Sequence, residues 1–101
     1  MVFQQGGCVY IMTNPYHNVL YVGVTSNLIA RAWDHKNKTY PGSFTAKYNC
    51  NKLIYYQFYP RIEEAIAAEK TLKGSNRKKK ESLAISLNPD WKDLYDDIIK
   101  E

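Results

Sequence analysis

Arg31 and His35 stand four residues apart in a stretch that reads as a helix, so their side chains leave the same face. A guanidinium is the natural bidentate partner of a phosphate, and a neighbouring histidine can hydrogen-bond or move a proton. The plain alternative is a solvated helix face that happens to carry a histidine. Glu69 breaks a pattern. Ile62, Ala65, Ile66 and Leu72 form an apolar stripe at helical spacing, and Glu69 falls on it. An unpaired buried carboxylate is costly and tends to protonate, so this position calls for an Arg, a Lys or a metal ion. The alternative is a stripe-edge glutamate that reaches solvent or pairs with a lysine.

Tyr10 and Tyr21 belong to two neighbouring strand-like segments. If Met12 pairs with Val19 across a Thr13–Asn18 loop, Tyr10 stands directly opposite Tyr21, with Cβ atoms ~5 Å apart on one face. Two phenols then point together, as a chemical pair or as a sheet-stabilising aromatic pair. Lys70, Lys73, Arg77, Lys78, Lys79 and Lys80 form a basic patch beside Glu69. Such a patch suits a phosphate backbone, with binding that falls steeply with salt; otherwise it is solvated charge. Trp33, Trp91 and most other tyrosines read as core or half-buried aromatics rather than base-stacking platforms.

These residues need elements to hold them. Cys8–Met12 and Val19–Val24 read as two strands of an antiparallel hairpin around a turn-rich Thr13–Asn18. Ser26 or Asn27 can cap a helix running to about Lys36. Asn37–Asn51 reads as a loop, long enough to be functional. Leu53–Tyr59 reads as a third strand, apolar on both faces and therefore central or covered, ended by Pro60. Ile62–Lys73 is an Ala- and Glu-rich helix with Gly74 as its stop. Ser75 or Asn76 opens a basic helix, Arg77–Leu87, and Asn88-Pro89 restarts a last short one. The order β-β-α-β-α-α-α predicts an α+β domain, a three-stranded, mainly antiparallel sheet flanked by helices.

A length of 101 residues corresponds to a single domain, 1–101. At 45% hydrophobic, the chain has material for a packed core. The apolar run Cys8–Met12 is far short of the ~20 residues a membrane helix needs, which predicts a chain without a membrane partner, located in the cytoplasm. Cys8, Cys50, His17 and His35 lack the spacing of a zinc module or a disulfide scaffold. Residues 1–88 carry 12 Lys/Arg against 5 Asp/Glu, a net +7, while the acidic tail 89–101 is −3. A basic body suggests a polyanionic partner, most simply nucleic acid.

Taken in order, these residues resemble the GIY-YIG nuclease domain, in its small stand-alone bacterial form. The likeness spans roughly residues 8–90: Val9-Tyr10-Ile11, Tyr21–Thr25, Arg31 to His35, Gly42–Thr45 with Lys47-Tyr48, Glu69–Lys73 and Asn88–Trp91. Cys8 stands where the first motif has glycine, a departure at backbone rather than at a ligand. The resemblance implies hydrolysis of nucleic-acid phosphodiesters with one divalent cation, Mg²⁺ or Mn²⁺, held by Glu69 as its single protein ligand. It implies that Arg31 neutralises the scissile phosphate, that Tyr10 assisted by Tyr21 serves the attacking water, and that His35 orients or relays. Asn88 matches a position near the family's site, although an Asn before Pro is also a good helix N-cap. The expected activity is a metal-dependent endonuclease acting on DNA, structure-selective for branched or damaged forms in repair or recombination, with RNA as the secondary candidate substrate. The alternatives are a non-catalytic nucleic-acid-binding domain, or an interaction module docking a larger nuclease or repair factor through residues 37–51 or the acidic tail.

Overall fold

The computed structural model describes residues 6–100. Three strands form one antiparallel sheet in the order β2-β1-β3: β1 Gly7–Thr13, β2 Leu20–Thr25 and β3 Lys52–Tyr59. The helices are α1 Leu28–Lys36, α2 Phe44–Lys47, α3 Ile62–Lys73, α4 Arg77–Leu87 and α5 Tyr95–Ile99. The α+β expectation therefore holds, with one helix more than the sequence predicts: the Asn37–Asn51 loop contains α2, a single turn capped by Ser43.

Strand alternation splits the core in two. Cys8, Tyr10 and Met12 face α1 and α5, packing on Leu28, Ala32, Leu53 and Ile98. Val9 and Ile11 face α3 and α4, packing on Val22, Ile54, Ala65, Leu72 and Ala84. β1 is buried along its whole length because it is central and covered on both faces.

The hairpin register differs from the expected one. Tyr10 pairs with Gly23, and Met12 with Tyr21, a shift of two residues. The reason lies in the turn. Asn14 Oδ1 accepts from the backbone N–H of Asn18 (3.0 Å) and Val19 (3.2 Å), and Thr13 Oγ1 donates to the Val19 carbonyl (2.7 Å). Val19 is thereby held in the loop and pairing starts at Leu20. An even shift keeps every side chain on its face, so Tyr10 and Tyr21 remain on one side as diagonal neighbours.

β3 is an edge strand, not a central one, yet it is covered. A register irregularity after Ile11 pairs it with Tyr55 and Met12 with Leu53, which leaves Ile54 as an extra residue and buries Leu53, Ile54 and Tyr55 in succession. Residues 88–94 cap its outer edge. Leu94 N–H donates to the Leu53 carbonyl (2.7 Å), Asp93 accepts from Leu53 N–H (3.2 Å), and Asn88 Nδ2 donates to the Ile54 carbonyl (3.3 Å). The last helix accordingly starts at Tyr95 rather than at Pro89. Asn88 is the C-cap of α4 and not an N-cap. Its side chain also closes a turn by donating to the Lys92 carbonyl (2.7 Å), and Trp91 takes a left-handed φ of 51° there. Asp93 forms an ion pair with Lys36 at the end of α1, so the acidic segment is tied to the body; Glu101 lies outside the described residues. Among the described residues no helix is long and apolar enough to cross a membrane.

Candidate active site

The first cluster is built by β1, β2 and α1. Asn27 caps α1 by accepting from Ala30 N–H (3.1 Å), and the helix then lays His35 against the sheet with Arg31 one turn nearer solvent. Tyr10 is 1% exposed, because it is central in the sheet and roofed by α1. Its hydroxyl lies 2.8 Å from His35 Nε2. His35 Nδ1 lies 2.7 Å from Thr45 Oγ1, which lies 3.3 Å from Ser43 Oγ. The Tyr10, Tyr21 and His35 rings sit with centroids 5.5–6.3 Å apart. Gly23, paired to Tyr10, is required here: a Cβ at this position would overlap the Tyr10 ring and hydroxyl.

Electrostatics follow from burial. Desolvation, reinforced by the neighbouring Tyr21, pushes the Tyr10 phenol well above its ordinary value, while the Arg31 guanidinium against its hydroxyl pulls the other way. Burial and then the Arg31 charge lower His35 to about 4, so the imidazole is neutral near pH 7. For Arg31 itself, burial opposes the charge, but Tyr10, Tyr21 and Asp34 outweigh it. Burial holds the Cys8 thiol at about 12 and Cys50 at about 11, so neither is a nucleophile near neutrality.

The second part comes from the other face of the sheet. α3 packs on β1 and β2 and buries Ala65, Glu69 and Leu72. The Glu69 carboxylate has one ionic partner among the described residues, Lys73 Nζ at 2.9 Å, the i+4 neighbour. This ion pair raises the Lys73 pKa and places the lysine within the electrostatic reach of Tyr21. A depression of about 320 Å³ at the outer edge of β2 is lined by Leu20, Tyr21, Val22, Phe44, Lys73 and Lys80. It joins the two faces, with Tyr21 from one side and Lys73 from the other.

The basic residues divide. Lys73 and Lys80 line this depression; Lys70 and Lys78 are exposed; Lys79 lines a separate groove with Tyr55 and Leu83. Arg77 is engaged structurally. It donates to the carbonyls of His17 (2.7 Å) and Asn18 (3.0 Å) and pairs with Glu81 at 2.6 Å. Asn88 lies at the β3 edge, on the far side of the sheet from β2. Trp33, Tyr40 and Tyr48, expected as core or half-buried aromatics, are 43–55% exposed, and so is Phe44 beside them. Phe44 packs between Tyr21 (5.9 Å) and Tyr48 (4.7 Å), and Arg31 lies over the Tyr40 ring at 5.6 Å.

Thr45 and Ser43 are the residues that sequence reasoning passed over as chemistry. Their signal was the Gly42–Thr45 stretch, which reads as loop until α2 turns Thr45 inward to 3% exposure.

The donor set can be tested for a divalent cation. Among the described residues no three His, Cys, Asp or Glu side chains gather in a metal cage. One buried carboxylate, with a 57%-exposed lysine on it, fits instead a hard cation that keeps most of its waters, as Mg²⁺ and Mn²⁺ do.

Compared with family models, residues 6–82 match the GIY-YIG catalytic domain. No curated protein and no solved structure matches the chain. With more than half its length matched, and with the motif tyrosines, the helical Arg–His pair and the α3 glutamate placed as described, the chain belongs to the GIY-YIG family of nuclease domains.

Proposed function

We propose that the chain is, as one unit, a divalent-metal-dependent endonuclease that hydrolyses phosphodiester bonds of DNA, serving repair or recombination in the cytoplasm. The observation that carries the reading is the depression at the β2 edge, where Tyr21, within electrostatic reach of Arg31, meets Lys73, the ion-pair partner of Glu69.

Arg31 and Tyr21, both half-buried, contact the scissile phosphate, and the guanidinium neutralises its charge. Glu69 would hold the cation, Mg²⁺ or Mn²⁺, in place of its Lys73 partner, leaving that lysine for the substrate backbone. Lewis-acid polarisation of the phosphate and stabilisation of the departing oxygen are what such a cation supplies when bound. Tyr10 and His35 form the proton path. The neutral phenol takes a proton from the attacking water at its oxygen and passes its own to His35 Nε2. Substrate phosphate offsets the Arg31 charge that depresses His35, so the imidazole becomes a stronger base when DNA is bound. Lys73, Lys80, Lys70 and Lys78 track the backbone, whereas Arg77 holds the fold and Asn88 closes the β3 edge.

The test is cleavage of labelled single-stranded, duplex, flap and four-way-junction DNA, and of RNA, with Mg²⁺ or Mn²⁺ and with chelator. Metal-dependent cleavage by the native protein should fall at least about a hundredfold in Glu69→Gln and in Arg31→Ala. Full cleavage in chelator, or in Glu69→Gln, would sink the metal reading. Salt-sensitive binding without cleavage would leave a non-catalytic binding domain. The exposed Tyr40, Phe44 and Tyr48 favour a second reading, a docking surface for a larger repair factor. It predicts stoichiometric partner capture unaffected by Glu69→Gln.

A further inference from the structure

We propose that Thr45 is a positioning residue that holds His35 as the tautomer protonated at Nδ1, leaving Nε2 as the acceptor for the Tyr10 proton. This inference rests on the reading of Tyr10 and His35 as the proton path, and it reaches a residue on α2 that touches neither substrate nor metal.

The argument is donor counting along a buried chain. Both ring nitrogens of His35 have a hydroxyl at hydrogen-bond distance, Tyr10 at 2.8 Å and Thr45 at 2.7 Å. Each hydroxyl has one hydrogen, so the direction of one bond fixes the others. Arg31 lies against the Tyr10 hydroxyl and can only donate. The Tyr10 oxygen thus faces a donor in Arg31, and His35 Nε2 is the hydroxyl's one acceptor-capable partner among the hydrogen bonds of the described residues, so its own hydrogen is assigned to Nε2. A neutral imidazole that accepts at Nε2 carries its hydrogen on Nδ1, which donates to Thr45 Oγ1. The Thr45 hydrogen is left for Ser43 Oγ at 3.3 Å. Burial makes the choice stringent: His35 and Thr45 are 6% and 3% exposed, so bulk water does not substitute for a partner lost at Nδ1.

The chain has a direction, from the buried phenol through the imidazole to the half-buried Ser43 at the N-terminus of α2. When Nε2 receives the Tyr10 proton, the new N–H bond forms as the phenol O–H breaks. The Nδ1–H stays on Thr45 and stabilises the imidazolium. In the opposite tautomer Nε2 already carries hydrogen and cannot accept. The groups facing His35 are Tyr10 from β1, Tyr21 from β2, Arg31 and Asp34 from α1, and Thr45 from α2.

The experiment uses the full chain labelled with ¹⁵N-histidine, with the His17 signals identified by a His17→Gln variant. Long-range ¹H–¹⁵N spectra near pH 7 report which ring nitrogen of His35 carries hydrogen. The native protein and Thr45→Ser should both show Nδ1–H. Thr45→Val, equal in volume but without an acceptor, should lose the Nδ1–H preference and lower kcat about tenfold or more at unchanged KM, with recovery in Thr45→Ser. An Nε2–H tautomer in the native protein overturns the proposal, as does a Thr45→Val variant with native tautomer and kcat. If Thr45→Val fails to fold, the native and Thr45→Ser spectra still decide. If the tautomer behaves as expected but no substrate is cut by the native protein, the positioning role stands and the nuclease reading falls.

Discussion

His35 shows how depth, not only identity, decides what a residue does. It shares a helix face with Arg31, yet it is buried and neutral while Arg31 is half-exposed and charged. The i, i+4 spacing made the pairing legible; the difference in depth came from the sheet beneath, which no spacing reports. Burial has a measurable cost. The His35 pKa is depressed to about 4, below the unfolded value of 6.5, so folding favours the neutral form. That contribution is complete above pH 6.5 and is lost as pH falls toward 4, because the unfolded chain binds the proton first. The loss amounts to about 3 kcal/mol. Denaturant unfolding at pH 7, 5.5 and 4 should show this slope in the native protein and a flatter one in His35→Gln. Glu69 was legible too, as a carboxylate on an apolar stripe, and its nearest cation is the Lys73 one turn on.

Elements were read well where periodicity was long and poorly where side chains close turns. α3 and α4 have the boundaries their patterns predict, Ile62–Lys73 and Arg77–Leu87. The hairpin register and the start of α5 do not, because Asn14 and Asn88 use their amides to shape backbone that composition alone leaves open. α2 escaped notice because one turn has no periodicity to display. The observed register gives Gly23 its meaning as the residue beneath the Tyr10 ring. Gly23→Ala should lower stability by about 1–3 kcal/mol through overpacking, read by thermal or denaturant unfolding. It should also cut kcat, by displacing the Tyr10 hydroxyl from His35. Stability loss with an unchanged kcat would show that Tyr10 is not held where the reaction needs it.

At the scale of the molecule, the positive charge is less concentrated than a count of residues implies. Arg77 is bound to the β1–β2 turn and Lys36 to Asp93, whereas Lys73, Lys80 and Arg31 gather near the β2 edge. With Lys70 and Lys78, which track the backbone in the proposed reading, these make five contacts and predict a slope of log K against log salt of roughly −4 to −5 for DNA binding in chelator. Lys80→Ala should make that slope shallower by about one contact. Arg77→Ala should leave the slope alone and lower the melting temperature by several degrees, about 4–8 °C for each kcal/mol lost. A reversal of these two outcomes would move the nucleic-acid interface to α4. Charge in the sequence suggests a polyanionic partner but not its place, since Arg77 and Lys80 look alike until the turn claims one of them.

The two sheet edges are treated differently, and that has a consequence for the protein in the test tube. β3 is covered at Leu53 and Ile54 by residues 88–94, while β2 presents an outer row of backbone groups beside the depression. An open strand edge invites another chain to add itself, and lysines alongside it are a common deterrent. Lys73 and Lys80 flank this edge, so in the proposed reading the charges that meet phosphate also serve as that deterrent. Removing both should cost more than substrate: light scattering at high protein concentration should rise in the double alanine variant, and added oligonucleotide should not suppress it. Substrate affinity and colloidal behaviour are then expected to change together when this pair of side chains is replaced.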